Sequence, residues 1–120
     1  AKGEAVRMEL RSPDPTANPY LALAAILRAG LDGIRRQVVP PESVDCNIFR
    51  MSEQERRERR LEELPSTLIE AVSCMEEDAF MRETLGEHAF GKYIALKKEE
   101  WNRYRSQVTD WEINEYLNQF

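Results

Sequence analysis

Residues 6–34 read VRMELRSPDPTANPYLALAAILRAGLDGI, and three features of this run set the fold. Arg7, Glu9 and Arg11 alternate with Val6, Met8 and Leu10. Successive side chains of an extended strand point to opposite faces, so a period of two places the three charges on one side and the three apolar residues on the other. Prolines at 13, 15 and 19 then keep the backbone extended or turned, and the residue before each is pushed away from helical angles. A helix can start only at the last of them. Asn18 is a good N-cap, and Pro19 suits the first helical position, where its missing amide donor is not needed. Leu21, Ala24, Ala25, Leu27, Ala29 and Leu31 follow, with Gly30 and Gly33 near the end. Such a helix is too apolar for an exposed surface and too short and interrupted to span a bilayer, and its alanines suggest close approach to another backbone.

Outward from this run the chain reads as further helices. Pro40 and Pro41 open a loop through Asn47, after which Ser52 and Glu55 form a capping box for a charged helix that Pro65 stops. Thr67 and Glu70 make a second box, and Leu68, Val72 and Met75 with Ala71 form the inward stripe of a short helix. Asp78 caps a further turn or two through Phe80, Met81 and Leu85, closed by Gly86. In the longest helix Phe90, Ile94, Leu96 or Lys97, Trp101, Tyr104 and Val108 share one face. Thr109 and Glu112 give a third box before Trp111, Ile113, Tyr116, Leu117 and Phe120. The spacing predicts helices near 19–34, 52–63, 67–76, 87–107 and 110–118. The fold class expected is mainly α, about five helices preceded by one short strand. An apolar terminal helix of this kind either docks on its own domain or seeks a partner subunit's groove.

The bulk composition narrows the chemistry. A chain of 120 residues is one ordinary domain with enough length for a core. Cys46 and Cys74 lack a C-x-x-C pattern and His88 is the single histidine, so the usual zinc ligands are not assembled. A lone histidine beside a helix start reads as solvent-facing or as a local cap. Two free thiols, with no secretory segment or long apolar span, suit a reducing cytoplasm. The chain opens Ala1-Lys2-Gly3 rather than on methionine, as a processed product, a tag remnant or an excised piece would. A net charge of −5 argues against nucleic-acid binding, which needs a positive face. The arginines of SEQERRERRLEE, residues 52–63, do not change this. Acids interleave with them, and pairs such as Glu53 with Arg57 and Glu55 with Arg59 fit a self-paired, exposed helix.

A strand with charges on one face is most often an ordinary wet surface. The sharper reading of Arg7, Glu9 and Arg11 is a site for a polyanion and its cation. Arginine forks onto carboxylate or phosphate, and a glutamate carboxylate is a hard oxygen ligand for magnesium or manganese.

The pattern R-x-E-x-R-x-P-D-x-x-x-N-P-Y-L over residues 7–21, followed by an alanine-rich helix ending A-G-L-D-G-I, resembles the C-terminal part of the catalytic domain of type I glutamine synthetase. Later stretches match too: the paired prolines, N-I-F in a loop, L-P-S-T-L-x-E-A, L-G-E-H-x-F, and V-T-D-W-E-I-x-x-Y-L. The resemblance covers nearly the whole chain and implies that an N-terminal β-grasp domain and further catalytic strands belong before it. It implies an α+β parent in which the first strand joins the catalytic sheet. Residues 1–18 are then strand and proline-rich corner, 19–108 a helical body, and 109–120 an oligomer-contact helix.

That family makes glutamine from glutamate, ammonia and ATP through γ-glutamyl phosphate with two divalent ions, Mg2+ or Mn2+. By position in the motif, Glu9 corresponds to a ligand of the nucleotide-side metal, Arg7 to a contact with the ATP phosphates, and Arg11 to a catalytic arginine at glutamate and the transferred phosphoryl group. Trp111, Ile113, Tyr116, Leu117 and Phe120 correspond to a contact between opposing rings of a cytoplasmic homo-oligomer, a dodecamer, with no nucleic-acid or membrane partner. Asn47-Ile48-Phe49 places a phenylalanine where adenylylated members carry the modified tyrosine, so control by that modification is not expected. Two alternatives stay open: a γ-glutamyl amine ligase of the same superfamily, or a helical assembly module without chemistry. The 120 residues alone are expected to be inactive, and the first dozen either disordered or paired with another copy because a lone strand leaves an open edge.

Overall fold

The computed structural model describes Gly3 and residues 6–117. Among these are six α-helices: α1 (Pro19–Arg35), α2 (Glu53–Glu58), α3 (Leu68–Glu77), α4 (Ala79–Leu85), α5 (Glu87–Arg105) and α6 (Asp110–Tyr116), with a 3-10 turn at Ile48–Arg50 between α1 and α2. The chain divides into two units, Ala1–Val39 and Pro40–Phe120.

In the first unit the expected strand is not formed among the described residues. A strand exists by its ladder of hydrogen bonds, and Val6–Arg11 has no paired neighbour among them, so the run remains irregular. Val6, Met8 and Leu10 are all exposed. The helix begins as its caps dictate: Asn18 Oδ1 accepts from the amides of Tyr20 at 3.0 Å and Leu21 at 3.3 Å, with Pro19 in the first turn. It runs through both glycines to Arg35. It ends where Gln37 turns left-handed at φ 53, with Gln37 N–H donating to Ile34 O and Val38 N–H to Gly33 O, the paired bonds of a Schellman motif. The helix buries no residue. Tyr20, Leu23, Leu27, Leu31 and Ile34, spaced three or four apart, are exposed, Leu23 by 64% and Ile34 by 75%. The apolar face that the composition assigned to an interior is therefore uncovered here.

In the second unit Asn47 caps the 3-10 turn through Phe49 N–H at 3.0 Å and leaves the Phe49 ring fully exposed. Helix α2 stops at Glu58 instead of reaching Glu63, because Arg60 turns left-handed at φ 54 and its amide and that of Leu61 close a second Schellman motif onto Arg57 O and Arg56 O. The self-pairing is partly as expected. Arg57 bonds Glu53 at 3.1 Å, but Glu55 turns back to cap Ser52, while Arg59 donates to Cys46 Sγ at 3.8 Å. Both cysteines are free and exposed.

The core lies among α3, α4 and α5. Val72, Phe90 and Ile94 are buried, with Leu68, Met75, Met81 and Leu85 packed around them. Each such aliphatic or aromatic side chain contributes about 1.5–3 kcal/mol on burial. Two charged contacts brace the same helices: Lys98 Nζ bonds both oxygens of Glu76 at 2.6 and 2.7 Å, and the Arg82 guanidinium sits 4.5 Å over the Phe90 ring while pairing with Glu87. On α5 the inward stripe passes through Lys97, half-buried beside the Tyr93 ring, and not through Leu96, which is 62% exposed. No helix among the described residues is long and apolar enough to cross a membrane.

Candidate functional site

The site begins with two bonds made by one carboxylate. Arg11 Nε donates to Glu9 Oε1 at 2.7 Å, and Arg7 Nη2 donates to Glu9 Oε2 at 3.4 Å. The spacing of two along residues 6–11 allows this even without a paired strand among the described residues. The three predicted residues are thus brought together. Side-chain exposures of 69%, 47% and 87% for Arg7, Glu9 and Arg11 mean that the pairs add little stability. Their significance is chemical: two forked cations with fixed charge stand on either side of a hard anionic donor.

The local donor set tests how much of a metal centre the chain can hold. Among the described residues no three His, Cys, Asp or Glu side chains converge on one point. Glu9 supplies a carboxylate of the right hardness for magnesium or manganese, and the further oxygen ligands such an ion requires have to come from elsewhere. Cavities of about 450 Å³ lined by Pro41–Val44 and Glu58–Leu61, and of about 420 Å³ lined by Ser66–Leu68, Glu100, Trp101 and Tyr104, belong to the second unit and include none of Arg7, Glu9 and Arg11.

One group next to the site escaped the sequence reading. Asp14 Oδ1 accepts from both the amide and the hydroxyl of Thr16 at 2.6 Å, and Asp14 O accepts from Ala17 N–H at 3.1 Å. An aspartate two residues before a threonine, between prolines, is the signature of such a side-chain-closed turn and could have been read as one.

At the other end of the chain, Trp111 and Tyr116 of α6 meet edge to face at 5.9 Å. Trp111, Ile113, Tyr116 and Leu117 are all exposed, from 41% at Ile113 to 71% at Leu117. Phe120 and the last residue of the helix expected over 110–118 lie outside the described residues.

Residues 1–116 match the family described as glutamine synthetase, catalytic domain. The glutamine synthetase of Clostridium saccharobutylicum is 50% identical over 120 residues, all of this chain and 27% of that protein. That of Methanococcus voltae is 47% identical over 117 residues, 98% of this chain and 26% of that protein. A solved structure described as apo GmaS without ligand superposes with a TM-score of 0.75 at 41% identity, covering 90% of this chain and 24% of that one. The chain spans about a quarter of the length of the curated relatives it matches.

Proposed function

Because the chain belongs to the glutamine synthetase catalytic-domain family, we propose that it is the C-terminal part of a glutamate–ammonia ligase, which forms glutamine from glutamate, ammonia and ATP through γ-glutamyl phosphate. The observation that carries this reading is the Arg7–Glu9–Arg11 arrangement, a carboxylate bonded to a guanidinium on each side. Glu9 is the metal ligand, Arg7 the partner of the ATP phosphates, and Arg11 the catalytic group at glutamate and the transferred phosphoryl. A bound Mg2+ or Mn2+ offsets the charge of the phosphate oxygens and orients them. The chain's own contribution is placement. Charge spreads over the oxygens of a phosphoryl group in transfer, and preorganised cations stabilise it most where they need no rearrangement. Arg7 and Arg11 suit that need through planar guanidinium forks that match phosphate and carboxylate oxygens.

The remaining walls of the site come from the rest of the parent and from a neighbouring subunit. Trp111, Ile113, Tyr116, Leu117 and Phe120 form the contact of a cytoplasmic homo-oligomer, a dodecamer. The exposure of Trp111, Ile113, Tyr116 and Leu117 supports this, since large apolar side chains grouped on one surface are costly unless covered.

Replacing Glu9 by alanine in the full-length protein tests the assignment. Mn2+ affinity and glutamine formation are expected to fall roughly tenfold or more, the scale that even outer partners of a bound metal reach. Unchanged affinity and unchanged synthesis in Glu9→Ala would remove the basis of the proposal. The ratio of kcat/KM for ammonia to that for polyamines separates this ligase from an amine ligase built on the same strand.

A further inference from the structure

We infer that Asp14 is a positioning residue for the Arg7–Glu9–Arg11 run, setting the direction in which that run leaves α1; the inference rests on reading the run as a metal and phosphate site. Only seven residues, 12–18, separate Arg11 from the first residue of the helix. Pro13 and Pro15 fix their own φ and hold Ser12 and Asp14 out of helical angles. From Asp14 onward the freedom left is removed by bonds. Asp14 Oδ1 takes the amide and hydroxyl of Thr16, Asp14 O takes the amide of Ala17, and Asn18 Oδ1 takes two amides of the first turn of α1. The corner is therefore closed on the charged run's side by Asp14 and on the helix side by Asn18. Asp14 touches none of the three site side chains in these bonds. Its effect is on where all three stand together.

Loss of the Asp14 acceptor frees the corner to turn about Asp14 and Thr16, and displaces Glu9 and both guanidiniums as one group. A misplacement of about 1 Å by a change remote from the reacting atoms can cost on the order of 10²-fold in rate. The conservative change is informative, because the Oδ1 of asparagine accepts the same two donors without the charge.

The experiment uses the full-length protein with Asp14→Ala, Asp14→Asn, Thr16→Val and, as a reference, Glu9→Ala. Mn2+ affinity is titrated without nucleotide, kcat and KM are measured for ATP and glutamate, and folding is followed by circular dichroism. In Asp14→Ala we expect kcat to fall on the order of 10²-fold and Mn2+ affinity roughly tenfold, with helix content retained. Asp14→Asn restores both close to the starting protein, and Thr16→Val, which keeps the amide donor and loses the hydroxyl, falls between. Native kcat and Mn2+ affinity in Asp14→Ala, or an Asp14→Asn as impaired as the alanine variant, overturns the inference. If Asp14→Ala does not fold, Thr16→Val decides: native values there overturn it and a partial loss supports it. Glu9→Ala distinguishes the two levels. An unchanged Mn2+ affinity in that variant removes the site reading itself, whereas an impaired Glu9→Ala beside a normal Asp14→Ala removes the role of Asp14 alone.

Discussion

Gly86 stands at φ 75 and ψ 152, a conformation that side-chain-bearing residues almost never hold. Its N–H closes α4 onto Arg82 O, and its carbonyl accepts Phe90 N–H to open α5. A Cβ placed there meets no atom within 4 Å, so the cost of Gly86→Ala is that of the backbone alone. We expect a loss of about 1–3 kcal/mol, read from chemical denaturation. Arg60 at φ 54 is the opposite case, a side chain held where glycine is at ease. Arg60→Gly is expected to raise stability by about 0.5–1 kcal/mol in the same measurement, since the left-handed region penalises any Cβ. Shifts of the same sign in both variants would defeat this backbone account. Gly86 was legible in the sequence because glycine after a short apolar helix is a stop signal. Arg60 was not: nothing within a run of arginines and glutamates marks where the chain turns left-handed, which is why α2 was expected to reach Glu63 and ends at Glu58.

Helix starts were the most legible elements, because a capping box is a local pattern four residues long. All three predicted boxes are present, at Ser52 and Glu55, Thr67 and Glu70, and Thr109 and Glu112. Each glutamate is held below the ordinary carboxylate value of 4.5: Glu55 chiefly by the Ser52 amide, Glu70 by the Ser66 hydroxyl, Glu112 by the Thr109 amide. A carboxyl with a depressed folded pKa binds fewer protons in the folded state than in the unfolded one. Its stabilisation is therefore complete above pH 4.5 and is lost as pH falls through the lower folded value. Helix content followed by circular dichroism should hold level from neutral pH to about the unfolded carboxylate range and then decline. With Glu55, Glu70 and Glu112 all changed to glutamine, the acid-dependent part of that decline should shrink, and an unaltered profile would contradict the assignment. Contacts between elements were less legible. No local pattern announces that Lys98 of α5 reaches Glu76 of α3, or that Arg82 lies over Phe90, because those partners meet only once the helices have packed.

At the scale of the molecule, the apolar core and the charged run belong to different units. Val72, Phe90 and Ile94 are buried within α3–α5, whereas Glu9 is exposed with one carboxylate to offer. We expect the 120 residues alone, mixed with ATP, magnesium, glutamate and ammonia, to release neither phosphate nor glutamine; turnover above the uncatalysed background would refute this. Arg7, Glu9 and Arg11 were legible as a motif, and their mutual contact as a spacing of two. The missing strand was not, since sequence alternation describes a strand's faces and says nothing of whether a neighbour is present to pair with it. One consequence follows from the outward leucines of α1. They stand on a helix that the proline corner joins to Glu9, so on the proposed reading a surface that covers Leu23, Leu27 and Leu31 would also help to orient the carboxylate. On that reading a substitution such as Leu27→Asp, outside the Arg7, Glu9 and Arg11 arrangement, would surface in an assay of the full-length protein as faulty nucleotide handling, a lesion of assembly read as one of catalysis.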